Sequence, residues 1–283
     1  MIAYGGIAVF LFRGVIPFLP SKEIGSMHIF ICCILMLLSL ASFLFLTLTN
    51  PGKITKDSIK LLEKKYPYDK YLFKPIECPT CKITKIARSK HCSLCNVCIE
   101  RQDHHCIWIN GCIGAKNYRY FLWFLASHFI MCLDIAFIIT FIYIEIIRVY
   151  GLFINYYYYE RTGKVSEPQP GAVMHYLIRN YPDLLFVLVL CGCMSIALPL
   201  FLLYHLSMLF QNQTANESRK ISQIKLKWTR ELYQKKLNLK RSNDARSQTE
   251  RDIKELEGKL KEIDKNFYDK GIKQNTIEVL FPN

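Results

Sequence analysis

The chain has 283 residues, of which 51% are hydrophobic, and it carries a formal net charge of +14 at pH 7. Its apolar residues gather in long blocks with the charges between them, a distribution that excludes an ordinary soluble core and indicates membrane spans. The basic balance does not indicate nucleic-acid binding, because basic cytosolic flanks already follow from membrane topology.

Four apolar stretches predict an all-α membrane protein with four transmembrane helices. They cover residues 3–19, 28–48, 120–147 and 184–210. About 20 apolar residues cross the hydrocarbon as a helix, and a helix is required there because backbone groups must bond internally. The first stretch is short and is interrupted by Arg13 and Pro17, so a cleaved signal peptide is the alternative. No basic residue precedes this apolar run, which favours a span.

Lysine and arginine residues predict the orientation of these helices. They crowd residues 50–119 and the tail after residue 211, whereas the loops on the other side carry few. We therefore expect helices 1 and 2 in residues 1–49, a cytosolic cysteine-rich domain in 50–119, helices 3 and 4 in 120–210, and a cytosolic C-terminal tail in 211–283. Residues 222–266 of the tail have partly helical spacing and predict a helix that is solvated or lies on the membrane surface.

Seven of the twelve cysteines lie between Cys78 and Cys112, together with three histidines. Cys-x-x-Cys pairs mixed with histidine indicate zinc rather than a secreted disulfide scaffold, and zinc thiolates imply a reducing compartment such as the cytosol. The segment offers ten candidate ligands, of which two closed sites with four ligands each use eight. Counting alone does not decide which two groups are left over.

The run Asp103-His104-His105-Cys106 contains the groups that nucleophilic catalysis requires. A cysteine nucleophile needs a base to form its thiolate, and a carboxylate can orient that base. Asp103, His104 and Cys106 fit these three roles. His105 would then be a metal ligand that fixes the middle of the catalytic loop.

The spacing Cys-x2-Cys-x9-His-Cys-x2-Cys-x2-Cys-x4-Asp-His-His-Cys-x5-Cys resembles the cysteine-rich domain of the DHHC protein S-acyltransferases, the palmitoyltransferases. The resemblance implies two structural zinc ions, a catalytic group made of Asp103, His104 and Cys106, and basic residues that contact coenzyme A phosphates. It assigns one zinc to Cys78, Cys81, His91 and Cys98, the other to Cys92, Cys95, His105 and Cys112, and the coenzyme A contacts to Lys85, Arg88 and Lys90.

The implied reaction moves a palmitoyl group from palmitoyl-CoA, a fatty acyl-CoA, to Cys106 and then to cysteines of membrane-associated proteins. The implied location is the endoplasmic reticulum or Golgi membrane, with the active site facing the cytosol. Its partners would be acyl-CoA, the lipid bilayer and substrates with juxtamembrane cysteines, and not nucleic acid. Trp108 either covers the thioester or anchors the chain at the interface.

Three segments outside this core pattern resemble the family less closely. Asn50-Pro51-Gly52 stands where the family has Asp-Pro-Gly, and Thr214-Ala215-Asn216-Glu217 stands where it has Thr-Thr-x-Glu. The family's second threonine supports the catalytic aspartate, so another donor must serve Asp103 or the activity is lower. The run from Tyr268 to Asn275 resembles the family's C-terminal motif, in which Asn275 would be a structural brace.

Two other classes of function stay open. The zinc cluster would also suit a membrane scaffold or interaction protein whose transferase chemistry is lost or depends on a partner. Ala215 favours that hypothesis, and the intact Asp103, His104 and Cys106 oppose it. A channel or transporter needs polar residues near the bilayer midplane, and Asp134 alone gives this reading little support.

Overall fold

The computed structural model describes residues 25–69, 71–153, 157–159, 164–166, 169–241 and 246–282, so the apolar stretch at 3–19 lies outside it. The helices are α1 (Met27–Leu48), α2 (Ile59–Lys65), α3 (Tyr118–Val149), α4 (Pro170–Asn180), α5 (Pro182–Phe210), α6 (Ala215–Arg241), α7 (Arg246–Ile263) and α8 (Ile272–Leu280). The strands are β1 (Lys90–Cys92), β2 (Val97–Ile99), β3 (His104–Cys106), β4 (Gly111–Ile113), β5 (Tyr157–Tyr159) and β6 (Lys164–Ser166). Consecutive strands pair as three antiparallel hairpins.

Within the described part of the chain, α1, α3 and α5 are long and apolar enough to cross a membrane. Their ends lie within two residues of the stretches predicted at 28–48, 120–147 and 184–210. The fold is therefore mostly helical, with three candidate spans. The expectation of an all-α chain misses the short hairpins, because strands of three residues are too short to give a periodic sequence signal.

The chain divides into two compact units. The first combines the described residues up to Leu44 with Leu122–Leu203, and the second combines Phe45–Phe121 with Tyr204–Asn283. The cysteine-rich segment and the C-terminal tail therefore belong to the same unit.

In the first unit, α1 and α3 contact each other through polar side chains. The hydroxyl oxygens of Ser42 and Ser127 are 2.8 Å apart. The carboxylate of Asp134 lies 3.4 Å from the His28 ring nitrogen and accepts a hydrogen bond from the Cys32 thiol at 3.2 Å. An ionisable side chain inside a span requires partners, and these two α1 residues supply them for Asp134.

A turn follows α1 in the second unit, and it forms although Asn50 stands where the family has aspartate. The side-chain oxygen of Asn50 accepts hydrogen bonds from the backbone N–H groups of Gly52 and Lys53, both at 2.9 Å. An asparagine oxygen makes these bonds as an aspartate would. Gly114 packs directly on the turn, where an added Cβ would clash with the carbonyl oxygen of Pro51.

The tail contains two long helices where one was predicted over 222–266. α6 and α7 lie antiparallel and are joined by the ion pairs Lys235–Asp252 at 2.8 Å and Lys236–Glu257 at 2.7 Å. The residues between the helices, 242–245, read Ser-Asn-Asp-Ala and lie outside the described residues.

Asn275 braces the C-terminal segment, as the resemblance implied. Its side chain is buried, and its amide nitrogen donates to the Phe210 carbonyl at 2.7 Å and to Asp269 at 2.6 Å. Its oxygen accepts from the Lys270 backbone N–H at 2.9 Å. A buried amide that bonds both the end of α5 and residues 269–270 fixes α8 against these two segments.

Candidate metal centres and active site

The first group of candidate metal ligands contains Cys78, Cys81, His91 and Cys98, whose ligand atoms all lie within 4.8 Å of one another. The β1–β2 hairpin places His91 directly opposite Cys98. The Nδ1 atom of His91 lies 3.3 Å from the Cys81 sulfur and 3.9 Å from the Cys98 sulfur. Three thiolates and one imidazole at such spacing match a closed tetrahedral zinc site.

The second group contains Cys92, Cys95, His105 and Cys112, again with all ligand atoms within 4.8 Å of one another. The Nδ1 atom of His105 lies 3.5 Å from the Cys92 sulfur, 3.4 Å from the Cys95 sulfur and 3.8 Å from the Cys112 sulfur. The structure thus brings the eight predicted ligands together in the two sets that the resemblance implied, and both sets fit zinc by donor type.

The β3–β4 hairpin separates the metal ligand from the candidate catalytic groups. His105 pairs with Cys112 across the two strands. Successive side chains of a strand point to opposite faces, so His105 faces the metal group while His104 and Cys106 face the other way. Strand β3 therefore contributes His105 to the second set of metal ligands and places the His104 imidazole and the Cys106 thiol together on its other face.

Asp103, His104 and Cys106 form a connected group. The Asp103 carboxylate is fully buried and lies 2.7 Å from His104 Nδ1. Burial lowers the pKa of His104, but the hydrogen bonds with Asp103 and Cys106 more than offset this and raise it to about 9. Burial likewise raises the pKa of the Cys106 thiol, but the hydrogen bond from His104, the backbone N–H groups of Trp108 and Ile109 and the charge of His104 together lower it. The arrangement therefore favours a thiolate beside an imidazolium.

The backbone of Ala215 supplies Asp103 with a hydrogen-bond donor in place of the absent threonine hydroxyl. Its N–H donates to the second oxygen of Asp103 at 2.8 Å. The N–H lies at the start of α6, where Thr214 and Glu217 form a reciprocal cap: the Glu217 carboxylate accepts the Thr214 N–H at 2.9 Å and the Thr214 hydroxyl accepts the Glu217 N–H at 3.1 Å. A helix N-terminus also favours a carboxylate electrostatically. Asp103 is thus held without a hydroxyl at position 215.

Arg88 does not fit the predicted role of a coenzyme A contact. Its side chain is 2% exposed, and its guanidinium binds both oxygens of Glu217 at 2.6 and 2.8 Å. It also donates to the side chain and the carbonyl of Asn212, and it lies over the Tyr268 ring. A buried guanidinium with this many partners holds α6 and the C-terminal segment on the cysteine-rich segment and cannot also reach a phosphate.

Lys85 and Lys90 remain accessible, and Lys220 joins them. Lys85 is half-buried and Lys90 is exposed. Burial lowers the pKa of Lys220, and the nearby charges of Lys90 and Lys85 lower it further. Because the charges of Lys85 and Lys90 act on Lys220, the three lysines lie near one another and form a basic patch. Sequence spacing could not find Lys220, because it lies 130 residues beyond Lys90 along the chain.

His205 lies beside His104 and Tyr118 bonds His205, but neither residue gave a functional signal in the sequence, where an isolated histidine such as His205 indicates an interfacial or packed side chain. His205 of α5 is 1% exposed, and its ring centroid lies 6.0 Å from that of His104. The Tyr118 hydroxyl lies 3.0 Å from His205 Nδ1 and donates to the His205 carbonyl at 3.2 Å. A single histidine in an apolar stretch gives no signal of such proximity. Trp108, in contrast, is 75% exposed on the turn after Cys106.

Comparison with known proteins identifies the family. The family model described as DHHC palmitoyltransferase matches residues 74–222. Palmitoyltransferase ZDHHC4 of Bos taurus is 34% identical over 196 residues, which are 69% of this chain and 57% of the relative. Palmitoyltransferase swf1 of Schizosaccharomyces pombe is 32% identical over 243 residues, 83% of this chain and 61% of the relative. Palmitoyltransferase SWF1 of Saccharomyces cerevisiae is 32% identical over 177 residues, 62% of this chain and 44% of the relative.

The chain therefore belongs to the DHHC palmitoyltransferase family. It spans roughly half of the length of the curated relatives that it matches, from 44% to 61% of the three named.

Proposed function

We propose that the protein is a protein-cysteine S-palmitoyltransferase in which Cys106 carries the acyl group. The observation that carries the proposal is the connected group Asp103–His104–Cys106, with its 2.7 Å carboxylate–imidazole hydrogen bond and its lowered thiol pKa. A buried carboxylate, an imidazole and an activated thiol are the parts that thioester exchange requires.

The reaction has two balanced steps. The Cys106 thiolate attacks the carbonyl carbon of acyl-CoA, the new carbon–sulfur bond forms, the bond to the coenzyme A sulfur breaks, and the departing thiolate takes a proton from His104. In the second step His104 takes the proton of a substrate cysteine, whose sulfur attacks the acyl-Cys106 carbonyl and releases Cys106. Asp103 orients His104 and stabilises its charged form.

The two ligand groups hold two structural zinc ions in this proposal, one bound by Cys78, Cys81, His91 and Cys98 and the other by Cys92, Cys95, His105 and Cys112. The donor types and their mutual distances within 4.8 Å support zinc. Bound zinc would cross-link the ligands and so fix the β1–β2 and β3–β4 hairpins. Because side chains alternate between the two faces of β3, His104 and Cys106 would not be metal ligands.

The co-substrate is a fatty acyl-CoA such as palmitoyl-CoA, and its phosphates bind the basic patch of Lys85, Lys90 and Lys220. Lysine ammonium groups attract phosphates as point charges. The protein substrates are membrane-associated proteins with cytosolic juxtamembrane cysteines.

The chain spans the membrane four times in this proposal, with residues 3–19 adding a span to α1, α3 and α5. The domain order is helices 1 and 2 (1–49), the cysteine-rich domain (50–119), helices 3 and 4 (120–210) and the tail (211–283). The excess of lysine and arginine in the second and fourth segments supports a cytosolic active site. The location is the endoplasmic reticulum or the Golgi.

Intact-protein mass after incubation with palmitoyl-CoA tests the proposal, with Cys106→Ala as the matched control. We expect one palmitoyl group that hydroxylamine removes and that the variant lacks. If protein that holds two zinc ions forms no adduct, autonomous acyl transfer is refuted and the scaffold hypothesis takes its place.

A further inference from the structure

His104 needs more than Asp103 to fix its ring. The hydrogen bond at 2.7 Å holds Nδ1, but the outer torsion of a histidine side chain has broad preferences and one bond leaves the ring plane poorly defined. The side chain is 24% exposed, so packing does not enclose it completely. Its orientation therefore depends on the aromatic groups that touch it.

Two rings of the same unit contact His104. Phe121 meets it edge to face, with centroids 5.3 Å apart and an angle of 70°. His205 lies at 6.0 Å and also meets Phe121 edge to face, at 4.9 Å and 83°. Phe121 and His205 thus form a corner of two rings against which His104 rests.

Tyr118 fixes His205 within this corner. Its hydroxyl bonds both the side chain and the backbone carbonyl of His205, at 3.0 and 3.2 Å. Its ring is fully buried and lies under the Arg101 guanidinium at 5.5 Å. Filling space alone would need only an apolar side chain at position 205. One hydroxyl therefore bonds the buried ring at Nδ1 and the backbone of the same residue, which restricts how the imidazole can turn.

We propose that His205 and Tyr118 are a positioning pair that holds the His104 imidazole in the orientation for proton exchange with Cys106. This inference rests on the proposed function. Neither residue touches the reacting sulfur; they act through His104, and misplacing a catalytic group by about 1 Å can reduce a rate by about 100-fold.

The test compares four variants with the full-length wild-type protein. His205→Leu removes the imidazole and its hydrogen bonds, His205→Asn keeps a side-chain amide that can bond Tyr118, and Tyr118→Phe removes only the hydroxyl. His175→Leu is the matched control, because His175 is exposed on α4. Single-turnover palmitoylation by intact mass gives the maximum rate and the half-saturating palmitoyl-CoA concentration, and zinc content reports the fold.

We expect His205→Leu to lower the maximum rate by about 10- to 100-fold, with the half-saturating concentration unchanged. Tyr118→Phe should lower it by about 2- to 12-fold, the effect expected from losing its hydrogen bond to the His205 ring. His205→Asn should recover part of the loss, and His175→Leu should match the wild type. A zinc-loaded His205→Leu protein with the wild-type rate would overturn the inference. If the His205→Leu protein loses zinc, the Tyr118→Phe variant takes its place, and a zinc-loaded Tyr118→Phe protein with the wild-type rate would overturn the inference.

A second readout separates this inference from the proposed function. The rate of iodoacetamide alkylation at Cys106, followed by peptide mass, requires no acyl transfer. If His205 acts through His104, His205→Leu slows alkylation in the wild-type background and has no further effect in His104→Ala. An equal slowing in both backgrounds would show a general structural role and overturn the inference, whether or not the wild type forms an acyl adduct.

Discussion

The buried pair of Arg88 and Glu217 provides the sharpest test of the fold around the site. Both side chains are nearly inaccessible, at 2% and 3% exposure, and their nearest charged atoms are 2.6 Å apart. Removing one partner of a buried pair leaves an uncompensated charge, which destabilises by about 3–5 kcal/mol. We therefore expect Arg88→Met and Glu217→Gln each to destabilise the unit strongly.

Thermal unfolding measures this loss. The unit contains about 160 residues, for which 1 kcal/mol shifts Tm by about 2–4 °C. Each single variant should therefore lower Tm by about 6–20 °C. The double variant should lose less than the sum of the two, because neither charge is then left alone. Lys236→Met, which breaks an exposed pair with Glu257, serves as the control and should leave Tm unchanged.

The same variants distinguish the structural role of Arg88 from the coenzyme A contact that the sequence predicted. A contact residue would raise the half-saturating acyl-CoA concentration and leave Tm intact. If Arg88→Met shows that pattern, the reasoning from burial is refuted. A large fall in Tm with non-additive coupling to Glu217 supports the structural role.

Three further predictions concern the site itself. Lys220→Ala should raise the half-saturating palmitoyl-CoA concentration severalfold at low salt and by less at high salt, because the Debye length falls from about 10 Å at 0.1 M to about 3 Å at 1 M; an effect independent of salt would contradict a phosphate contact. Ala215→Thr should leave the rate of adduct formation nearly unchanged, because the backbone N–H already serves Asp103; a large gain would show that the carboxylate was poorly supported. Alkylation of Cys106 should persist below the usual thiol pKa of about 8.5 and decline only as the pH falls through the lowered pKa. His104→Ala should move that midpoint upward, and an unchanged midpoint would exclude His104 as its cause.

Local sequence carried much of the fold. The three described spans follow from runs of apolar residues, since length and hydrophobicity alone decide whether a helix can cross a bilayer. The eight metal ligands lie within the 35 residues from Cys78 to Cys112, and their grouping follows from short Cys-x-x-Cys turns and from the spacing that resembles the family pattern.

Long-range partners could not be predicted in the same way. Glu217 meets Arg88 across 129 positions, and His205 meets Tyr118 across 87. Neither pair has a spacing that a helix or strand period would reveal. The charge of Arg88 predicted an exposed side chain, because arginine is almost never fully buried unless it is paired. Its buried partner, Glu217, is identified only by the folded structure.

The contact between Ala215 and Asp103 shows why a missing motif residue is weak evidence for lost activity. A hydroxyl and a backbone N–H both donate to a carboxylate, but only the hydroxyl is written in the sequence. The N–H of position 215 reaches Asp103 because Thr214 and Glu217 cap the start of α6 and Arg88 holds Glu217 in place. What the site requires is the placement of that helix end. Thr214, Glu217 and Arg88 secure this placement and are all present. Alanine at position 215 therefore removes one hydroxyl donor but leaves the backbone N–H that bonds the Asp103 carboxylate.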